Sequence, residues 1–310
     1  MKIAFVFPGQ GSQSVGMLAS FAGDPAVASV VKRASDALGQ DIGRLIAEGP
    51  AEELGLTVNT QPCMLTAAYA MFAAWRASGG PTPAMVAGHS LGEYSALTAA
   101  GAFALEDAVP LVRFRAQAMQ DAVPVGVGAM AAILGLDDAQ VRAACEESAQ
   151  GEVVEAVNFN APAQVVIAGH RAAVDRACAA AKERGAKRAV ILPVSAPFHS
   201  SLLAPAREKL RERLGSVPLA APQVAVIHNV DVSVSFDPVT IRETLARQAA
   251  SPVRWSETIQ KMAAEGVTHV VECGPGRVLS GLTKRIVGTL ESFAITDAAS
   301  LADVRSKLVG

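Results

Sequence analysis

The chain has 310 residues and a formal net charge of −2, from 27 Lys and Arg against 29 Asp and Glu. This near balance provides neither a basic stripe for nucleic acid nor an acidic tail typical of disorder. The longest mostly apolar stretch, 62–75, is too short to span a bilayer, so we expect no membrane association. The four cysteines are far apart without a C-x-x-C pair, which predicts a reducing, cytoplasmic location with no disulfide and no structural metal.

The first predicted element is a buried strand over residues 2–7, and it ends at the glycine-rich turn Pro8-Gly9-Gln10-Gly11. Two glycines in this turn let the backbone and Gln10 approach a ligand closely. Ser14 stands where a G-x-G-x-x-G fingerprint needs its third glycine, so a dinucleotide site is not indicated.

Short helices are predicted across residues 17–56, broken by glycine and proline, before one longer helix. Thr60 is the candidate N-cap of that helix, and Pro62 is expected in its first turn, where a missing N–H costs nothing. Gly79-Gly80-Pro81 ends the helix.

The next stretch has the pattern of a nucleophile elbow. A short strand at 84–88 leads into Gly88-His89-Ser90-Leu91-Gly92, and a helix is predicted over 93–100. Strand, G-x-S-x-G and helix together expose a serine hydroxyl at a sharp turn, and the helix start aims N–H groups at an oxyanion beside it. Ser90 is therefore the candidate nucleophile.

A second helix, predicted over 105–120, follows after a short connection and should return antiparallel to the elbow helix. It carries Arg113 and Arg115 among apolar residues, and either guanidinium could come near Ser90. The pattern alone leaves open which arginine faces inward.

Residues 126–197 have a different pattern, the β-α-β-β-α-β order of a ferredoxin-like unit. The predicted domains are thus a core of 1–125 and 198–310 and an inserted subdomain of 126–197. Beyond the insert we predict helices at 202–214, 238–249, 256–264 and 278–287, with strands at 224–227 and 268–272.

A serine hydroxyl needs an adjacent base to act as a nucleophile. His199, in a loop that rejoins the core, and His228, at a strand end, are both candidates for that base. No acidic residue between elbow and insert sits at a strand end, so we expect a Ser–His pair oriented by an amide or a backbone carbonyl.

Taken together, the motifs resemble one family over the whole chain. Pro8-Gly9-Gln10-Gly11-Ser12, Gly88-His89-Ser90-Leu91-Gly92, Val157-Asn158-Phe159-Asn160, Pro197-Phe198-His199 and Gly274-Pro275-Gly276 are similar to the motifs of bacterial malonyl-CoA:acyl carrier protein transacylases. The resemblance implies an α/β fold, with an α/β-hydrolase-like core built on a parallel sheet and an inserted ferredoxin-like subdomain. It also implies transfer of malonyl from malonyl-CoA to the phosphopantetheine thiol of acyl carrier protein through a malonyl-serine, which supplies fatty acid synthesis.

The resemblance also assigns roles to single residues. It makes Ser90 the nucleophile and His199 its base, with the backbone N–H groups of Gln10 and Leu91 as the oxyanion hole. It selects Arg115 as the clamp on the malonyl carboxylate. Further residues that it places at the site are Gln248, whose carbonyl helps to hold the imidazole, Asn160 and Gln61, which line the pocket, and Phe198, whose bulk would disfavour an α-methyl branch.

The expected partners are malonyl-CoA and holo acyl carrier protein, and the expected state is a monomer. No cofactor is implied, because the CoA thioester is a substrate and the carrier protein brings its own phosphopantetheine. Two other functions fit parts of the pattern. A serine esterase or thioesterase shares the elbow and the base, and a non-catalytic docking module for carrier protein would not need Ser90.

Overall fold

The computed structural model describes residues 1–194 and 196–309, so Ser195, in the predicted loop before His199, and Gly310 lie outside the described residues. The chain forms a mixed α/β structure with a parallel sheet and a separate antiparallel sheet. The strands are β1 (Ile3–Phe7), β2 (Met85–Gly88), β3 (Gly128–Leu134), β4 (Val154–Ala161), β5 (Gln164–His170), β6 (Arg188–Ile191), β7 (Ala225–Ile227), β8 (His269–Cys273) and β9 (Glu291–Ile295).

The helices follow the predicted order, with their ends displaced by a few residues. They are α1 (Pro25–Leu38), α2 (Ile42–Glu48), α3 (Ala51–Gly55), α4 (Thr57–Ala77), α5 (Gly92–Ala99), α6 (Leu105–Asp121), α7 (Asp138–Ala149), α8 (Arg171–Glu183), α9 (Ala204–Gly215), α10 (Pro238–Gln248), α11 (Trp255–Ala264), α12 (Val278–Ile286) and α13 (Ala298–Val309), with short 3₁₀ turns at Ala19–Phe21 and Ser201–Leu203.

The parallel sheet has the strand order β7-β2-β1-β8-β9, with β1 at its centre. Every residue of β1 is buried, because its two faces lie in two different apolar clusters. Phe5 and Phe7 pack with α4 on one face, and Ala4 and Val6 pack with α11 and α12 on the other. This two-sided burial explains why β1 is an unbroken apolar run, without alternation. The carboxyl ends of β1, β2 and β7 meet at one edge, which carries the site described below.

The antiparallel sheet is built from the segment predicted as an insert, and its strand order is β4-β5-β3-β6. Helices α7 and α8 cover one face with a small cluster of their own, which includes Ile133, Val141 and Val174. Backbone hydrogen bonds connect this sheet to the segment after α10, because Phe159 N donates to Val253 O (3.0 Å) and Val253 N donates to Val157 O (2.8 Å). The antiparallel sheet is thus attached directly beside the C-terminal end of α10.

The predicted start of the longer helix was wrong. Helix α4 begins at Thr57, so Pro62 lies inside it, and Thr60 does not cap it. The Thr60 hydroxyl instead donates to the carbonyls of Leu54 (2.6 Å) and Leu56 (3.1 Å), and so satisfies the end of the preceding helix. A threonine near a helix start can satisfy carbonyls as well as N–H groups, and the sequence pattern does not distinguish the two roles.

Among residues 1–194 and 196–309 we find no helix that combines the length and the apolar character needed to cross a membrane.

Candidate active site

Ser90 lies at the sharp turn between β2 and α5, with a φ of 52°. The flanking glycines are required by close packing. A Cβ on Gly88 would lie 1.8 Å from Gly92 O, and a Cβ on Gly92 would lie 2.0 Å from Phe7 O. No larger residue fits at either position without moving backbone. The G-x-S-x-G pattern therefore lets the turn pack directly against the end of β1, and holds Ser90 in a strained conformation.

His199 is the histidine that reaches the serine. Its Nε2 lies 2.7 Å from Ser90 Oγ, and its Nδ1 lies 3.0 Å from the backbone carbonyl of Gln248. A carbonyl oxygen only accepts hydrogen bonds, so Nδ1 carries the proton and Nε2 is left to accept from the serine hydroxyl. The competing candidate, His228, is fully buried and bonds through Nδ1 to Glu93 Oε1 (2.8 Å).

The environment of His199 keeps its imidazole neutral. Burial, followed by the positive charge of Arg115, lowers the pKa of His199 to about 3. Its partner on Nδ1 is a carbonyl, and none of the ion pairs among the described residues joins His199 to a carboxylate. The imidazole is therefore unprotonated at neutral pH, so the lone pair on Nε2 can accept the Ser90 proton during the reaction.

Arg115, on α6, is the arginine that faces inward. It is 1% exposed, and its Nη2 donates to Ser90 Oγ (3.1 Å) and to Gln248 Oε1 (2.9 Å), while its Nη1 donates to Gln61 Oε1 (2.9 Å). Arg113, two residues earlier on the same helix, instead bonds to Gln40. Burial lowers the pKa of Arg115 from its usual value. A buried guanidinium beside the candidate nucleophile is a site for a carboxylate.

Two further side chains form hydrogen bonds to the backbone of the elbow. Asn229 is not singled out in the sequence analysis, and Gln248 has a role there only through its backbone carbonyl. Asn229 accepts from Ser90 N (2.7 Å) through Oδ1 and donates to Gly88 O (2.8 Å) through Nδ2. The Gln248 side chain donates to Ser90 O (2.8 Å). Asn229 comes two residues after β7, a neighbour of β2, so its position at a strand end was the available signal.

The backbone N–H groups of Gln10 and Leu91 carry the oxyanion-hole role in the sequence analysis. Both residues line the cavity at Ser90, and no backbone hydrogen bond within residues 1–194 and 196–309 uses either N–H. Leu91 immediately precedes α5, so its N–H also lies at the positive end of that helix. Their role as an oxyanion hole stays a prediction.

The cavity at Ser90 has a volume of about 140 Å³. Gln61 and Phe198 are among the residues that line it. Four residues that the sequence analysis did not name also line it and give it apolar walls: Met119, Met130, Leu192 and Val194. The prediction that Asn160 lines the cavity was wrong, since Asn158 does so instead. Asn160 Oδ1 instead bonds to His89 Nε2 (2.8 Å), and Asn160 lies within a second irregularity of the β4–β5 pairing, between Phe159 and Ala161.

The described residues contain no cluster of three or more His, Cys, Asp or Glu side chains that could hold a metal ion.

Comparison with known proteins gives one consistent result. The family model described as "Acyl transferase domain" matches residues 4–305. The chain is 54% identical over 302 residues to the malonyl CoA-acyl carrier protein transacylase of Salmonella typhimurium strain LT2, and the match covers 97% of this chain and 98% of that protein.

Solved structures agree with the sequence match. The crystal structure of an acyl-carrier-protein S-malonyltransferase from Burkholderia pseudomallei 1710b is 66% identical, with a TM-score of 0.98 over 99% of this chain and 100% of that one. A structure described as a type II PKS acyl-carrier protein in complex with its malonyl-transacylase is 48% identical, with a TM-score of 0.98 over 99% and 100% of the two chains.

Proposed function

The chain belongs to the malonyl CoA-acyl carrier protein transacylases of the acyl transferase family, and from this premise we propose how its own residues move a malonyl group from malonyl-CoA to an acyl carrier protein. The observation that carries the proposal is the cluster of Ser90, His199 and Arg115 in one cavity. The nucleophile and the neutral base can transfer an acyl group. The buried cation beside them can bind an acyl group that bears a free carboxylate.

In the first half-reaction the Ser90 hydroxyl attacks the thioester carbonyl while His199 Nε2 takes its proton. The tetrahedral intermediate collapses as the C–S bond breaks, and the protonated imidazole returns the proton to the CoA thiolate. Malonyl-Ser90 and free CoA are the products. Short helix α5 and Asn229 keep the elbow rigid, so Oγ is in place before the substrate arrives.

The developing oxyanion is received by the backbone N–H groups of Gln10 and Leu91. Preorganised donors of this type contribute roughly 3–4 kcal/mol each to the transition state in comparable sites. They need no reorganisation here, because neither N–H gives up a hydrogen bond to the rest of the described chain.

Arg115 selects the acyl group. Its guanidinium offers two parallel hydrogen bonds to the free carboxylate of malonyl, which an acetyl group lacks. Gln61 and Gln248 hold the guanidinium from opposite sides, through Nη1 and Nη2, so the clamp is positioned in advance.

In the second half-reaction the phosphopantetheine thiol of an acyl carrier protein replaces CoA. His199 takes the thiol proton, the thiolate attacks the malonyl ester, and the proton returns to Ser90 Oγ as the C–O bond breaks. The complex of a related malonyl-transacylase with an acyl-carrier protein supports this choice of partner. The thioester is rebuilt at each exchange, so the reaction needs no cofactor of the enzyme's own.

We also infer a finer description of the fold. Residues 1–125 and 198–310 form an α/β-hydrolase-like core, and residues 126–197 form a ferredoxin-like insert. The parallel sheet with the elbow after β2 supports the first assignment, and the order β4-β5-β3-β6 supports the second. The cytoplasmic location and the monomeric state stay predictions, and the four free, buried cysteines support a reducing compartment.

The test separates transfer from hydrolysis. Enzyme is mixed with malonyl-CoA, freed of small molecules, and divided among holo carrier protein, apo carrier protein and buffer. We expect malonyl-carrier protein only in the holo sample and a persistent acyl-enzyme in the other two. Rapid release of malonate into buffer would overturn the proposal in favour of a thioesterase, and absence of any acyl-enzyme would favour a docking module.

A further inference from the structure

Glu93 is a charged residue at the centre of the site that the reaction scheme leaves without a role. It lies on α5, three residues after Ser90, and is fully buried. Its carboxylate accepts three hydrogen bonds: Oε1 from His228 Nδ1 (2.8 Å), and Oε2 from Asn229 N (3.1 Å) and Gln248 Nε2 (2.9 Å). A buried carboxylate is stable only when it accepts hydrogen bonds of this kind, so these three donors stabilise the Glu93 carboxylate in the protein interior.

Arg115 lacks a carboxylate partner of its own, because none of the ion pairs among the described residues includes it. Its acceptors are the oxygens of Gln61, Ser90 and Gln248. The buried cation and the buried anion are instead joined through one carboxamide. Gln248 Oε1 accepts from Arg115, and Gln248 Nε2 donates to Glu93.

The two ends of a carboxamide are chemically different, and Gln248 Nε2 donates to two acceptors, Glu93 Oε2 and Ser90 O, so the acceptor at position 93 helps to determine which end meets the arginine. With the amide reversed, its NH₂ group would face the donors of Arg115, and its oxygen would face the carboxylate of Glu93. Both contacts would be repulsive, and the guanidinium would lose Gln248 as one of its two amide acceptors. The acceptor oxygen that Glu93 places beside Gln248 Nε2 therefore favours the single Gln248 orientation in which Arg115 is held at Ser90.

We propose that Glu93 is a positioning residue for acyl selection, acting through the Gln248 side chain to hold Arg115 where the malonyl carboxylate binds. The inference rests on the proposed function of Arg115 as the clamp. It predicts that Glu93 affects the preference for malonyl over acetyl, although Glu93 itself touches neither acyl group.

Two substitutions separate geometry from charge. In Glu93→Gln the amide oxygen can accept from Asn229 N and Gln248, and its NH₂ can donate to His228 Nδ1. His228 Nε2 has no partner among the described residues, so its ring can take the proton there and change tautomer. Glu93→Asp keeps the charge but withdraws it from Gln248 by one methylene. Glu272→Gln, at a fully buried carboxylate outside the cavity, is the control for loss of a buried charge.

The measurement is the ratio of kcat/KM for acylation by malonyl-CoA and by acetyl-CoA, with thermal unfolding to show that each variant is folded. We expect Glu93→Asp to lower the ratio about fivefold or more, and Glu93→Gln and Glu272→Gln to change it less than about twofold. Gln248→Leu, which removes the bridging amide, should lower the ratio as Glu93→Asp does, and it provides the test if Glu93→Asp fails to fold.

Arg115→Ala distinguishes failure of the proposed clamp from failure of the positioning role of Glu93. If it leaves the ratio unchanged, the clamp itself is wrong. If it lowers the ratio while Glu93→Asp and Gln248→Leu slow both substrates equally, the clamp stands and the positioning role of Glu93 is overturned. If Glu93→Gln lowers the ratio more than Glu93→Asp, charge rather than geometry is responsible, which also overturns the inference.

Discussion

His199 Nε2 lies 2.7 Å from Ser90 Oγ, although 109 residues separate the two in sequence. The antiparallel sheet occupies most of that interval, so both ends of the intervening segment return to the same edge of the parallel sheet. The base is then oriented by the carbonyl of Gln248, at the end of α10. Ser90, His199 and the carbonyl that orients the imidazole therefore come from three separate stretches of chain, each held in place by the secondary structure beside it.

Replacing Arg115 by Ala should remove the preference for malonyl. Hydrogen bonds to a charged group contribute about 1.5–3 kcal/mol, which corresponds to a fall of about 10- to 100-fold in kcat/KM for malonyl-CoA. Acylation by acetyl-CoA should change much less, because acetyl has no carboxylate and is affected only through the contacts of Arg115 with Ser90 and His199. Arg113→Ala is the matched control, because Arg113 is on the same helix and bonds to Gln40 outside the cavity. Equal losses for both acyl groups would contradict the clamp.

The imidazole of His199 should stay neutral well into the acid range. Burial and Arg115 lower its pKa to about 3, so between pH 7 and pH 4 the imidazole stays mostly unprotonated in the folded protein. Removing the cation in Arg115→Gln leaves burial as the main cause of the shift, so the pKa should rise only part of the way toward its usual value. NMR titration of the imidazole, assigned with His199→Gln, measures both values. An imidazole that titrates near pH 6.5 in the unsubstituted protein would contradict this account.

The same pKa predicts a loss of stability in acid. The unfolded chain binds a proton at His199 below about pH 6.5, whereas the folded chain does so only below about 3. Between these values the unfolded state binds more protons, so the free energy of unfolding falls as the pH falls. His199→Gln should show a smaller fall over that window when denaturant unfolding is measured at pH 7 and pH 4. An unchanged difference between the two pH values would argue against a buried neutral imidazole.

Gly92→Ala should disrupt the elbow, since its new Cβ would lie 2.0 Å from Phe7 O, an atom of the central strand. We expect a lower melting temperature and loss of acylation. Gly281→Ala is the control, because its Cβ would meet nothing within 4 Å and the position is inside α12. There alanine should stabilise the protein by about 0.5–1 kcal/mol. Two variants with equal stability would contradict the packing explanation.

Much of the fold could be predicted from sequence because its strongest signals are local. The apolar run of β1, the elbow motif and the change of pattern after Gly126 each depend on neighbouring residues. The choice between Arg113 and Arg115, or between His199 and His228, depends on tertiary packing, and only the family resemblance settled it in advance. The roles of Glu93 and Asn229 were missed for the same reason, since each acts on residues more than 130 positions away.

Phe198 lines the cavity beside His199 and should limit the size of the acyl group. In Phe198→Ser we expect faster acylation by methylmalonyl-CoA relative to malonyl-CoA, because removal of the ring makes room for an α-methyl branch. Competition between the two thioesters, read by mass spectrometry of the acyl-enzyme, measures the preference. An unchanged preference would assign the exclusion of branched groups to other walls of the cavity.

The central claim is that Ser90 carries the malonyl group, and intact-mass measurement tests it most directly. Protein mixed with malonyl-CoA should gain the mass of one malonyl group, and Ser90→Ala should gain nothing under the same conditions. Subsequent addition of holo carrier protein should return the enzyme to its original mass and move the malonyl group to the carrier. An adduct of the same mass on Ser90→Ala, or no adduct on the unsubstituted enzyme, would contradict the account.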